Sequence, residues 1–128
     1  MKYDESSEQI AFFRRSSYRK YGAETVRDVI YAVPNGGTRG GRRAMLAGVR
    51  RKAEGVTAGV PDIESFVATP PYTGWHCEMK RKDGKPSDVT AAQAKMMARL
   101  TKAGRKCVVC FGEEHAWKEL TSYLGIKA

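Results

Sequence analysis
No apolar run in the sequence approaches the roughly 20 residues that cross a bilayer, so no membrane-spanning helix is expected. The opening stretch, MKYDESSEQ, lacks the apolar centre of a secretory leader, which makes an intracellular, cytoplasmic protein the expectation. Cysteine is scarce: three residues, an odd number, which fits reduced thiols rather than a disulfide scaffold. There is no internal repeat and no low-complexity tract. The glycine-rich stretch PNGGTRGG, 34–41, lacks the G-K-[ST] ending of a Walker phosphate loop, which argues against that class of nucleotide hydrolase. Acidic residues are in deficit, 14 against 23 Lys and Arg, for a net charge of +9. Such an excess on a small domain points to a polyanionic partner, most often nucleic acid, although a basic solubilising surface has the same composition.

What is present fits one α/β domain spanning residues 1–128. The apolar fraction is 41%, and a chain of this size buries roughly two-thirds of its unfolded surface. Ile10, Phe13, Ser17 and Tyr21 follow helical spacing and predict a helix over 6–21, capped by Ser6 or Ser7 and ended by Gly22. DVIYAV, 28–33, predicts a strand, and PNGGTRGG a loop. A second helix is expected over 42–53, with Met45, Leu46, Val49 and Ala53 inward. Strands follow at 62–68 and 75–81, joined by the turn TPPYTG. Thr90 and Gln93 have the spacing of a capping box opening a helix to about Ala103, with Gly104 beyond it. An apolar strand at 106–111 and a helix at 113–124 complete the order αβαββαβα, a central mixed sheet flanked by helices.

The chemistry concentrates in WHCEMK, 75–80. Alternation puts Trp75, Cys77 and Met79 on one face and His76, Glu78 and Lys80 on the other. An acid and a base two apart usually make a weak ion pair on a solvated face. Asp62 alters that reading. It follows Pro61, a residue that tends to mark a strand start, and a turn at 69–74 would fold it back near Glu78. Two adjacent carboxylates repel, and a hard cation such as Mg²⁺, held by one or two carboxylates plus waters and phosphate oxygens, relieves that repulsion. Lys80 would then orient a water or steady developing negative charge. Cys107 and Cys110 form a C-x-x-C in a strand, which reads as structural thiols. A redox pair, or a zinc site completed by His76, Cys77 or His115, is the alternative, without regular ligand spacing.

Pro61-Asp62 and Glu78-Met79-Lys80 resemble the PD-(D/E)xK nuclease signature. Together, PNGGTRGGRR, KAEGVTAGVPDI, the E-M-K strand and Gln93 resemble the VRR-NUC domain, the virus-type replication-repair nuclease module, from about Glu8 to Tyr123. The resemblance implies a restriction-endonuclease-like fold and a Mg²⁺- or Mn²⁺-dependent DNA endonuclease. Asp62 and Glu78 match the metal-binding carboxylates, the Met79 carbonyl a further ligand, Lys80 the catalytic lysine and Gln93 the glutamine of the following helix. Glu8 matches the first-helix acid, although Glu5 lies nearby. Asn35, Gly36 and Gly37 match a loop lining the site, with Arg39, Arg42 and Arg43 reaching phosphates. Stand-alone phage members of the family imply a homodimer cutting branched DNA, notably four-way (Holliday) junctions, and fused members imply flap processing. A non-catalytic nucleic-acid-binding protein of the same fold is the alternative from another class. Trp117, Leu120 and Tyr123 serve either the core or a dimer patch.

Overall fold
In a computed structural model, the chain is described over residues 4–34 and 41–128, with 41–44 as backbone only. Helix α1, Glu5–Ser17, is capped by Asp4, whose carboxylate accepts from Ser7 N at 2.7 Å. It ends one turn earlier than its apolar spacing predicts, because Lys20–Tyr21 (β1) pairs with Glu24–Thr25 (β2) in a small hairpin around Gly22. A 3₁₀ turn, Val26–Val29, leads into β3, Ile30–Ala32. Helix α2 follows, Gly41–Ala53.

Strands β4 (Ile63–Ser65), β5 (Trp75–Lys80) and β6 (Lys106–Phe111) join β3 in one sheet of order β3-β4-β5-β6. The first two pairings are antiparallel and the last is parallel, which makes the sheet mixed. Helix α3, Ala91–Lys102, is the crossover between the parallel strands, and α4, Glu113–Leu124, follows β6 directly. Strand β4 is shorter than the expected 62–68. Residues 66–68 leave the ladder, and Tyr123 holds this segment instead, its hydroxyl donating to Val67 O and accepting from Thr69 N.

The core lies on one face of the sheet. Ile63, Trp75, Cys77, Met79 and Cys110 meet Phe12 of α1 and Ala116, Trp117 and Leu120 of α4, all at most 2% exposed. The rings of Phe12 and Trp75 stack at 6.5 Å, and Trp117 meets Phe12 edge-on at 6.3 Å. Trp117, Leu120 and Tyr123 are therefore core residues, which removes them as a dimer patch. The expected inward face of α2 is corrected too. Met45, Leu46 and Val49 are 65%, 59% and 63% exposed.

Candidate metal centre
The register of β4 against β5 builds the site. Ile63 pairs with Cys77 and Glu64 with His76, so one further step sets Asp62 opposite Glu78. Pro61 has no N–H to extend β4, and the ladder ends there. The β5 amide that continues past it is satisfied by a side chain: Met79 N donates to Asp62 Oδ2 at 2.8 Å. The Asp62 carbonyl accepts from Val33 N at 2.8 Å, which ties the same residue to the chain following β3.

Asp62 and Glu78 are joined by a third carboxylate, from α1. Ligand oxygens of Glu5, Asp62 and Glu78 all lie within 4.8 Å of one another, the single such acidic cluster among the described residues. The first-helix acid that reaches the site is thus Glu5, one turn before Glu8. Glu8 is engaged elsewhere. Its Oε1 accepts from Glu113 N at 2.7 Å, at the start of α4, where the N-cap residue is Gly112 and has no side chain to do so. The neighbouring Arg15–Glu113 ion pair, at 3.0 Å, fastens α1 to α4 at the same point.

Glu78 is 1% exposed, and burial, then the adjacent Asp62 carboxylate, pushes its carboxyl up to about 9. Among the described residues its Oε1 has no hydrogen-bond partner unless Glu78 itself carries a proton to share with Asp62. Lys80, 5% exposed, lies on the same sheet face, its Nζ 3.9 Å from Glu78 Oε2. Gln93 joins these groups. Its Oε1 accepts from Thr90 N at 2.9 Å, closing the capping box, and from Lys80 Nζ at 3.0 Å, while its Nε2 donates to Glu78 Oε2 at 3.2 Å. One side chain therefore both caps α3 and aligns the acid and base of the E-x-K strand.

Gly59 seats the loop before Asp62 against this helix start. Its φ is +86°, and a Cβ there would lie 2.5 Å from the Ala92 carbonyl oxygen and 3.0 Å from Gln93 N. Over the carboxylates opens a cleft of about 850 Å³, walled by Gly48, Arg51 and Lys52 of α2 and by Ala92 and Gln93 of α3. Asn35, Gly36, Gly37 and Arg39 lie outside the described residues. Arg42 and Arg43 lie on α2, their side chains outside the description.

A solved structure named "VRR_NUC domain protein" matches over 98% of this chain and 92% of that chain, with a TM-score of 0.82 and 23% sequence identity. The chain has the VRR-NUC fold. No family model matches the sequence, and no curated protein does.

On this fold, a second polar cluster occupies the same sheet face and was not legible in the sequence. His76, 3% exposed, has its Nδ1 3.6 Å from Glu64 Oε1 and its Nε2 accepting from Arg105 Nε at 3.1 Å. Arg105 also pairs with Glu64 Oε2 at 3.2 Å, and the Tyr31 hydroxyl donates to that same oxygen. Burial keeps His76 below its usual range, which suits a ring nitrogen that accepts from a guanidinium. The hydrogen bond to Glu64 pushes the Tyr31 hydroxyl up to about 12. His115 is partly exposed and accepts from Phe111 N through Nδ1 at 3.0 Å.

Of the C-x-x-C pair, Cys110 is fully buried, with Cys77 as its thiol neighbour, while Cys107 is only half-buried. Among the described residues, no metal-binding group of three His, Cys, Asp or Glu includes a cysteine.

Proposed function
We propose that the protein is a metal-dependent DNA endonuclease that hydrolyses phosphodiester bonds in branched DNA, four-way junctions in particular. The observation that carries the reading is the convergence of Glu5 of α1, Asp62 just before β4 and Glu78 of β5 within 4.8 Å, with Lys80 buried beside them. The donor set fits Mg²⁺ or Mn²⁺. It is all oxygen, as hard cations require, and it includes Glu78 Oε1, which among the described residues has only a proton shared with Asp62 to satisfy it. Clustered carboxylates, one with its proton affinity raised, form a site whose charge a dication balances. Glu5, Asp62 and Glu78 would hold the ion, with the Met79 carbonyl as a further donor. When bound, such an ion polarises a phosphate oxygen and lowers the pKa of a water.

The chain's own residues do the rest. Lys80, held by Gln93, places an ammonium where negative charge develops on the phosphate. Gln93 fixes the distance between that ammonium and Glu78. Asp62, anchored by the Met79 amide, keeps its carboxylate in place before any ion arrives. Arg51 and Lys52 on the cleft wall, with the +9 net charge behind them, draw the phosphate backbone toward an otherwise acidic floor.

The symmetric junction reading adds a homodimer in the cytoplasm, host cytoplasm for a phage protein, since one site per chain makes paired incisions only in two copies. Among the described residues no helix is long and apolar enough to cross a membrane. Incubating the protein with junction, flap and linear duplex DNA in Mg²⁺, Mn²⁺ or chelator tests the proposal. Cleavage is expected only with metal and fastest on the junction. Binding without cleavage in either metal would favour the non-catalytic binder.

A further inference from the structure
Helix α2 carries an apolar stripe that the core does not use. Met45, Leu46 and Val49 sit at i, i+1 and i+4, on one face of the helix, and each is about three-fifths exposed. Gly48, Arg51 and Lys52 of the same helix line the cleft over the carboxylates. At 100° per residue the two faces are centred roughly a third of a turn apart. The apolar stripe therefore looks outward from the lip of the cleft, and the helix's last turn adds Arg50, Arg51 and Lys52 beside it.

We propose that this stripe contacts the faces of unstacked bases in the DNA engaged by the cleft, an inference that rests on the nuclease reading above and extends it to a specificity surface. The charge of the helix selects the occupant. Cations contiguous with the stripe suit a polyanion, and a nucleic acid presents apolar surface only where its base stack is interrupted. A continuous duplex offers phosphates and groove edges, whereas a branch point offers base faces next to phosphates. Methionine and leucine are among the side chains that other proteins insert at opened base steps. A second copy of the chain fits the same face poorly. Three side chains fall far short of the roughly 800 Å² per partner of a stable interface. A two-fold contact between copies of α2 would also bring the basic last turns of both into one interface, where like charges oppose association.

The test uses a four-way junction carrying 2-aminopurine at the branch, and a continuous duplex carrying it internally, both in chelator so that nothing is cut. Wild-type protein is expected to raise fluorescence on the junction and not on the duplex. The combined variant Met45→Ser, Leu46→Ser, Val49→Ser is expected to lose most of that rise and to lose about tenfold or more of its binding preference for the junction, the scale of one lost base contact. All three sites are exposed, and a thermal melt confirms that the variant folds; Met45→Ala, Leu46→Ala, Val49→Ala is the milder set. No fluorescence rise with wild-type protein, or an undiminished rise and preference in the variants, overturns the proposal. So does a fall in mass by light scattering from dimer to monomer in the variant, which would assign the face to a second copy. Because the readout needs no cleavage, a wild-type rise that the variants lose, in a protein that cuts nothing with metal, would keep the base contact and overturn the nuclease reading instead.

Discussion

Strands β4 and β5 carry two polar clusters on one face, and the two are built on opposite principles. In each, an acid on or just before β4 faces a partner on β5: Glu64 opposite His76 in the ladder, and Asp62 opposite Glu78 one step beyond it. Around Glu64 the charges match. A guanidinium, a phenol hydroxyl and an imidazole surround one carboxylate. Around Glu78 they conflict, with three carboxylates sharing one ammonium. The matched cluster needs nothing further and stiffens the sheet. The mismatched one is held together by Gln93, the Met79 amide and the rest of the fold, and it opens onto a cleft. Clustered acids beside an open cleft, one of them protonated to relieve their repulsion, suit a site that takes up a cation, whereas a structural cluster is neutralised internally.

The sharpest way to break this comparison is to neutralise one acid in each cluster. Asp62→Asn and Glu78→Gln are expected to abolish cleavage and the metal-induced rise in Tm, while DNA binding stays equal or tightens. In chelator above about pH 9, where Glu78 is ionised, they should melt no lower than wild type, because repulsion is relieved. Near-normal cleavage by either variant at saturating Mg²⁺ would remove it from the ligand set. Lys80→Ala comes next in size. Losing one transition-state charge typically costs roughly 10²–10³ in rate, against about one unit of salt slope in DNA binding. An unchanged single-turnover rate with weakened binding would reduce Lys80 to a phosphate contact.

Arg105→Met probes the matched cluster. It leaves Glu64 without its cation partner, and breaking a buried pair on one side costs about 3–5 kcal/mol; exposure of the guanidinium puts the expectation below that range. Chemical denaturation should show the loss, and the metal-induced rise in Tm should survive. A stable variant that no longer responds to metal would erase the distinction between the clusters.

A smaller effect separates them by pH. Glu78 titrates higher folded than unfolded, so the folded chain binds the extra proton between the ordinary carboxylate range and about 9. In chelator this residue's contribution to stability therefore falls as pH rises through that window. A bound Mg²⁺ replaces the proton, so the decline should flatten with metal, and calorimetry near neutral pH in buffers of different ionisation enthalpy should find about one proton released per ion bound. No proton release would mean that Glu78 is already ionised. Smallest of all, Cys107→Ala with Cys110→Ala is expected to leave metal-dependent cleavage intact, with a modest stability loss from the altered core. Stoichiometric zinc in purified protein would contradict that.

The E-x-K strand, β6 and α4 were legible because their apolar patterns are dense and bounded by Gly or Pro. The pairing of Asp62 with Glu78 was legible because Pro61 marks where a ladder must end. Spacing showed that Met45, Leu46 and Val49 share a face but not which way that face points, and the chain turns it to solvent. Glu5 and Glu8 lie a turn apart on α1, and what separates them is remote: Gly112, the side-chain-free N-cap of α4, recruits Glu8. Arg105 reaches His76 across 29 positions, with no local pattern to announce it. The double role of Gln93 lay half in view, since its capping-box spacing is local and its bonds to Lys80 and Glu78 are tertiary.

The central claim is that Glu5, Asp62 and Glu78 together hold a divalent ion. Anomalous diffraction from a crystal soaked in Mn²⁺ tests it most directly. The account predicts a peak bounded by the carboxylates of those three residues, with Glu8 still on the amide of Glu113. A peak coordinated by Glu8 in place of Glu5, or no peak between Asp62 and Glu78 at millimolar Mn²⁺, would contradict it.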